Sequence, residues 1–238
     1  MVPGREQQKP YDAVVIGSGF GGAMAAHRLV GEGMRVLMLE RGDWVERGDA
    51  ARDDVRGFFQ WTSGYTTEAP YRIRQSGRWG TEGICACVGG ASVFYGGASF
   101  RLRTRDFEYS REIAGGSGAA WPIGYDDLEG SYAEAERLLG VAGEAGVDPT
   151  EPPRSSGYPQ LPSPLSPISR RIGEAAGRLD LLPFRVPLAI DLSGSNGAAC
   201  ASCTTCDAYA CWNGSKNDLA SRIITPLLER GLELRPGR

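Results

Sequence analysis

DAVVIGSGFGGAMAAHRLVGEGMRVLMLE, residues 12–40, decides the fold. DAVVI is a short apolar run that fits a buried strand, and it leads directly into Gly17-Ser18-Gly19-Phe20-Gly21-Gly22. AMAAHRLVGEG predicts a helix ending near Gly31 or Gly33, and MRVLMLE predicts a second buried strand ending at Glu40. In that order they form a βαβ unit. Each glycine has its own role: Gly17 permits the tight turn out of the strand, Gly19 lets backbone approach a pyrophosphate, and Gly22 allows close helix–strand packing. The helix N-terminus offers free N–H groups to phosphate. Glu40, at a strand end, can accept hydrogen bonds from both ribose hydroxyls. These cues together point to dinucleotide binding. Glu40 would repel a 2′-phosphate, which argues against NADP. The unit's place at the start of the fold favours FAD, although spacing by itself does not separate FAD from NAD.

At 238 residues, 41% hydrophobic and 23% charged, the chain has the composition of a globular protein with a sizeable core. A net charge of −3 argues against a nucleic-acid partner, which needs concentrated Lys and Arg. No apolar run is long enough to span a bilayer, and the polar N-terminus lacks a signal-peptide core, so a cytoplasmic protein is expected. The one histidine, His27, falls within the first helix and receives no role.

A second glycine-rich stretch, GICACVGGASVFYGGASFRLRTR at 83–105, is broken by Gly89-Gly90 and Gly96-Gly97, where backbone can come close to a flat ligand. WPIGYDDLEGSYAEAERLLGV at 121–141 predicts a helix capped by Asp126 and Glu129, with an apolar stripe of Leu128, Tyr132, Ala135 and Leu139, ending at Gly140.

In sequence, IGSGFGG with Glu40-Arg41-Gly42, then VGGASVFYGG at 88–97, the WPIGYDDL helix and GSKND at 214–218 resemble the glucose–methanol–choline family of flavin oxidoreductases. The resemblance implies FAD as cofactor and an α/β fold: a Rossmann-like FAD-binding domain with part of a second, sheet-containing substrate domain. It carries Gly17, Gly19, Phe20, Gly22, Glu40 and Arg41 to the ADP half of the cofactor. Gly89, Gly90, Ser92, Tyr95 and Gly96 are carried to the loop beside the pyrophosphate and isoalloxazine. At Tyr95 the chain departs from the family, which often has Asn there. No histidine lies in the loop for covalent flavin attachment.

Residues 149–167 hold seven of the fifteen prolines and read as an extended crossing segment. ISRRIGEAAGRL then predicts a short helix. Cys200, Cys203, Cys206 and Cys211 follow with C-x2-C-x2-C-x4-C spacing. Such spacing suits an iron–sulfur cluster, a structural zinc, or redox or plain structural cysteines. Cys85 and Cys87, at C-x-C spacing too tight for an ordinary disulfide, read as packing residues.

The expected organisation is a flexible tail at 1–10, an FAD-binding part at 11–148, the crossing segment, substrate-domain start and cysteine motif at 149–213, and a return to the FAD-binding part at 214–238. Helix 218–229 and strand LELR close the chain, and Pro-Gly after them signals a returning strand. In the family the catalytic His-His or His-Asn pair lies further on, so no catalytic residue is expected within these 238. The resemblance implies the N-terminal part of an enzyme oxidising the CH–OH group of an alcohol, sugar or sterol, working as a dehydrogenase that passes electrons to an external acceptor. The remaining sequence or a partner chain would complete it. The alternatives are a noncatalytic flavin or electron-carrier subunit and an inactive truncated remnant.

Overall fold

The computed structural model describes residues 9–52, 54–59, 65–68, 73–75, 78–80, 83–108, 120–195 and 197–237. Residues 1–8 of the expected tail therefore lie outside the described residues. The opening motif folds as β1 (Ala13–Ile16), α1 (Phe20–Gly31) and β2 (Val36–Leu39), with β1 and β2 parallel. Ala23, Ala26 and Val30, spaced along one face of α1, are buried, as are Val36, Leu37 and Met38 of β2. Glu32 follows the last helical residue and Gly33 adopts φ +79°, a left-handed stop that glycine tolerates.

The chain divides into two compact units. The first takes residues 1–95, 203–214 and 218–238, and the second takes 96–202 and 215–217. The WPIGYDDL helix belongs to the second unit, whose first residue is Gly96.

The first unit continues with α2 (Asp49–Arg52) and α3 (Asp54–Phe59). Four short strands follow: β3 (Thr66–Glu68), β4 (Ile73–Gln75), β5 (Arg78–Gly80) and β6 (Gly83–Cys85), with β3 antiparallel to β6 and β4 to β5. The second unit contains α4 (Tyr125–Leu139), β7 (Val141–Ala142), α5 (Pro167–Gly177) and β8 (Leu188–Ala189). Its sheet is slight: β7 and β8 pair antiparallel, and Ala98, Gln160 and Lys216 add single bridges. The last stretch returns to the first unit as α6 (Thr225–Glu229) and β9 (Glu233–Arg235).

β9 runs parallel to β2 on the side away from β1, giving the order β1-β2-β9. Only the middle strand is therefore buried along its length. β1 was expected to be buried, but it is an edge strand: Val14 is 53% and Ile16 85% exposed. The helix expected at 218–229 begins with a π turn, Ala220–Ile224, before α6. Pro226 has no N–H with which to continue an α ladder, and the Thr225 hydroxyl donates instead to the Ala220 carbonyl, 2.8 Å away.

In the second unit, α4 starts two residues earlier than the Asp126–Glu129 capping pair requires. Gly124 is the cap residue, and its N–H donates to Asp127 Oδ2 at 2.8 Å. Glu129 is then free to bind elsewhere. Arg101, only 4% exposed, donates from Nε and Nη2 to the two carboxylate oxygens of buried Glu136 at 2.9 and 2.8 Å. Its Nη1 reaches the Tyr125 hydroxyl at 2.8 Å and Glu129 at 2.9 Å. Arg154 donates to Glu136 from the other side at 2.5 and 3.1 Å and lies 3.8 Å over the Tyr158 ring. Two guanidinium forks on one buried carboxylate satisfy all its acceptor sites, which makes its burial tolerable. The proline-rich segment is thereby fastened to α4.

The Glu129 carboxyl is held down at about 2 by the Ser155 N–H, the Arg101 guanidinium and the Ser155 hydroxyl. The stability it contributes is present above its ordinary value of 4.5 and is lost as pH falls toward 2. Thermal melts between pH 5 and pH 3 are expected to fall steeply for the wild-type protein and less steeply for Glu129→Gln.

Candidate functional site

Gly17, with φ +89°, turns the chain sharply out of β1, and its N–H still donates to Leu39 O at 2.8 Å. A Cβ at Gly22 would lie 2.0 Å from the Gly17 carbonyl oxygen, so only glycine lets α1 approach the turn. Gly19 and Gly21 differ: a Cβ on either would meet nothing within 4 Å. Packing within the chain does not demand glycine there, and the space outside them is open. The N-terminus of α1 carries neither a side-chain cap nor an acidic residue in its first turn. Its first N–H groups thus point outward with the positive end of the helix dipole, a ready anion site.

Glu40, 8% exposed, stands beside this turn. Its Oε2 accepts from the Ser18 N–H at 2.9 Å and the Ser18 hydroxyl at 2.5 Å, and its Oε1 accepts from the Gly42 N–H at 2.9 Å. A carboxylate offers about four lone-pair sites, so roughly one remains, on Oε1, for an incoming hydroxyl. Accepting from both ribose hydroxyls would require Ser18 to release one bond. Gly42 is pressed against the second glycine stretch, since a Cβ there would lie 1.9 Å from Ala86 O. Arg41 is exposed.

The second stretch closes onto the first through Ser18. The Gly89 N–H donates to the Ser18 hydroxyl at 2.9 Å, and Gly90, with φ +59°, places its would-be Cβ 3.3 Å from Gly19 Cα. Gly89 itself has φ +90°, and a Cβ there would come within 2.8 Å of Ala220 N. The Ser92 hydroxyl, 2% exposed, donates to Gly89 O at 2.7 Å and accepts from Leu219 N–H at 3.1 Å. Its geometry is that of a brace for the loop. Tyr95 meets Phe20 edge to face, with centroids 6.1 Å apart. Burial raises the Tyr95 hydroxyl above its ordinary range, and the Asp218 carboxylate and Cys206 sulfur nearby add to the shift. Gly96 opens the second unit.

The structure thus brings together Gly17, Gly19, Phe20, Gly22, Glu40, Gly89, Gly90, Ser92 and Tyr95. Ser18 and Gly42, the residues that join the loops, stand within motifs of the sequence reading but received no role there. Ser18 occupies a variable position of the glycine pattern, and Gly42 follows Arg41 without any local turn signal of its own. Nearby, Phe58 packs near Tyr209 and Tyr65 near Phe94.

The cysteines do not assemble as a centre. Cys203, Cys206 and Cys211 belong to the first unit and Cys200 to the second, and none of the six cysteines is in a disulfide. Cys211 Sγ donates to Asn213 Oδ1 at 3.1 Å and Cys203 Sγ to Thr205 O at 3.7 Å. Among the described residues, no three His, Cys, Asp or Glu side chains converge to hold a metal ion. The described geometry gives no support to the iron–sulfur cluster or the zinc that the spacing allowed. Among the described residues, no helix is long and apolar enough to cross a membrane.

Residues 15–59 match the NAD(P)-binding Rossmann-like domain family. Over 234 residues the chain is 35% identical to paromamine 6′-oxidase of Streptomyces fradiae, covering 94% of this chain and 39% of that protein. It is also 31% identical over 186 residues to 2-methyl-1,2-propanediol dehydrogenase of Mycolicibacterium austroafricanum, covering 71% of this chain and 31% of that protein. These matches agree with the resemblance of this chain's motifs to the glucose–methanol–choline oxidoreductases. The chain spans about two fifths of the length of its curated relative from Streptomyces fradiae, 39% by alignment. The fold of this chain is shared with pyridoxine 4-oxidase from Mesorbium loti, with a TM-score of 0.55 at 20% identity over 96% of this chain and 42% of that one.

The two kinds of glycine in this loop separate by experiment. Gly19→Ala is expected to change the unfolding free energy of the ligand-free protein by less than about 0.5 kcal/mol, while Gly22→Ala lowers it by more than about 2 kcal/mol. Denaturant titration of both variants checks this, and a large loss for Gly19→Ala would contradict the reading of open space.

Proposed function

We propose that this chain forms the nucleotide cradle of an FAD-dependent oxidoreductase that oxidises the CH–OH group of a small alcohol or sugar-like substrate and passes the electrons to an external acceptor. The observation that carries the reading is the uncapped N-terminus of α1 facing open space at Gly19 and Gly21, with the Glu40 carboxylate beside it. The identity to an oxidase and to a dehydrogenase named for a diol supports the reaction class.

In this proposal the residues of the chain bind and orient. The first N–H groups of α1 hold the pyrophosphate, where the helix dipole favours negative charge. Glu40 accepts from a ribose hydroxyl through its remaining lone pair and would repel a 2′-phosphate. The Gly89–Gly90 backbone, without side chains, leaves room next to Gly19 for the cofactor to pass. Phe20, 47% exposed, and Tyr95 form an aromatic edge beside that passage. Bound FAD would supply the two-electron acceptor for the hydride leaving the substrate carbon. No electron step is assigned to Cys200, Cys203, Cys206 or Cys211, because among the described residues no three such side chains converge on a metal.

The test is the cofactor released by heat from the intact protein. Stoichiometric FAD, with bleaching of the flavin band on anaerobic addition of an alcohol or sugar alcohol, is the expected result. Glu40→Gln should weaken FAD binding by about tenfold or more, the loss of one charge-assisted hydrogen bond. Release of NAD instead, or rapid bleaching by NADH with no response to alcohols, would contradict the proposal.

A further inference from the structure

Cys85 and Cys87 stand outside the roles assigned so far, yet they sit where the two glycine loops join. Their sulfurs are 3.6 Å apart and share a hydrogen bond. Cys87 is fully buried with its sulfur 3.4 Å from Gly90 O, while Cys85, at the end of β6, is partly exposed. The residues around the pair are those that hold the cradle. Ala86, between the two, has its carbonyl pressed on Gly42, and its N–H donates to Tyr65 O at 2.7 Å. The Cys87 carbonyl accepts from Gly90 N–H at 2.8 Å and lies 3.4 Å from the Ser18 hydroxyl oxygen, and Val88 N–H donates to Asp43 O at 3.0 Å.

We propose that Cys85 and Cys87 are a redox-active dithiol whose reversible disulfide loosens the junction between the two glycine loops; its effect on the cofactor rests on the FAD reading above. The sulfurs need to close from 3.6 Å to a bond of about 2.05 Å, and Cys87 must give up its contact with Gly90 O. A bridge across one intervening residue is strained, and strained disulfides are the readily reduced, regulatory kind. Contraction of 85–87 draws Ala86 from Gly42 and the Cys87 carbonyl from Ser18 and Gly90, so both loops feel it.

The exchange balances with a small-molecule disulfide as oxidant. Cys85 attacks one sulfur of the external disulfide and displaces the first small thiol. Cys87 then loses its proton and attacks the Cys85 sulfur of the mixed disulfide, and the second small thiol leaves. The protein dithiol is oxidised by two electrons, and the external disulfide is reduced to two thiols. The order follows from the environment: the bond from Cys87 lowers the Cys85 thiol, whereas that bond together with burial raises Cys87. The exposed member attacks and the buried one resolves.

The test uses the intact protein, reduced and then equilibrated with oxidised glutathione. Peptide mapping should find the bridge between Cys85 and Cys87, and hydrogen exchange at the Gly89 amide, which Ser18 now protects, should rise by about tenfold and return on reduction. Cys85→Ser should abolish both changes. Should that variant fold poorly, alkylation of Cys85 in reduced wild-type protein must block them equally. No bridge, or a bridge with Gly89 exchange unchanged, would overturn the inference. FAD content is read on the same samples: a bridge with faster exchange in a protein that never carries FAD would refute the cofactor reading and leave the dithiol standing.

Discussion

A buried serine hydroxyl holds this site together. Ser18, with no exposed surface, donates to Glu40 and accepts from the Gly89 N–H, so one oxygen links the first glycine turn, the end of β2 and the second glycine loop. Without it, Glu40 would be a buried carboxylate short of donors and Gly89 a buried N–H without an acceptor, each costing about 1–3 kcal/mol. The glycines serve the same junction by permitting contact: Gly22 lets α1 reach the turn, and Gly42 lets the backbone after Glu40 lie on Ala86. Ser92 then fixes the second loop to the start of the last helix.

The second unit depends on a different polar centre. Glu136 receives both Arg101 and Arg154, and the same arginines reach Tyr125, Glu129 and Glu151. Removing one partner of such a buried group costs about 3–5 kcal/mol, because the others are left charged and unsatisfied. The network gives a proline-rich segment, which cannot form a backbone ladder, a defined place against a helix.

The βαβ unit was legible because three local signals agree: apolar runs of strand length, glycines at fixed spacing and an acid at a strand end. The edge position of β1 was not, since burial of a strand depends on which strands flank it. β9, nearly two hundred residues later in sequence, chose the β2 side. The Asp126–Glu129 cap failed for a related reason: the local pattern was real, but Arg101 and Ser155, distant in sequence, draw Glu129 away. For the cysteines, spacing gave a plausible ligand set, and the fold assigned Cys200 to one unit and its three companions to the other. The site residues legible in the sequence were those whose role is to be small. Ser18, whose role is a long-range hydrogen bond, carried no local signal.

The central claim, that Ser18 and Glu40 act as one buried unit, is tested most directly by a double-mutant cycle. Unfolding free energies of Ser18→Ala, Glu40→Gln and the double variant should show a coupling of about 1–3 kcal/mol. Strict additivity, with coupling below about 0.3 kcal/mol, would contradict the account.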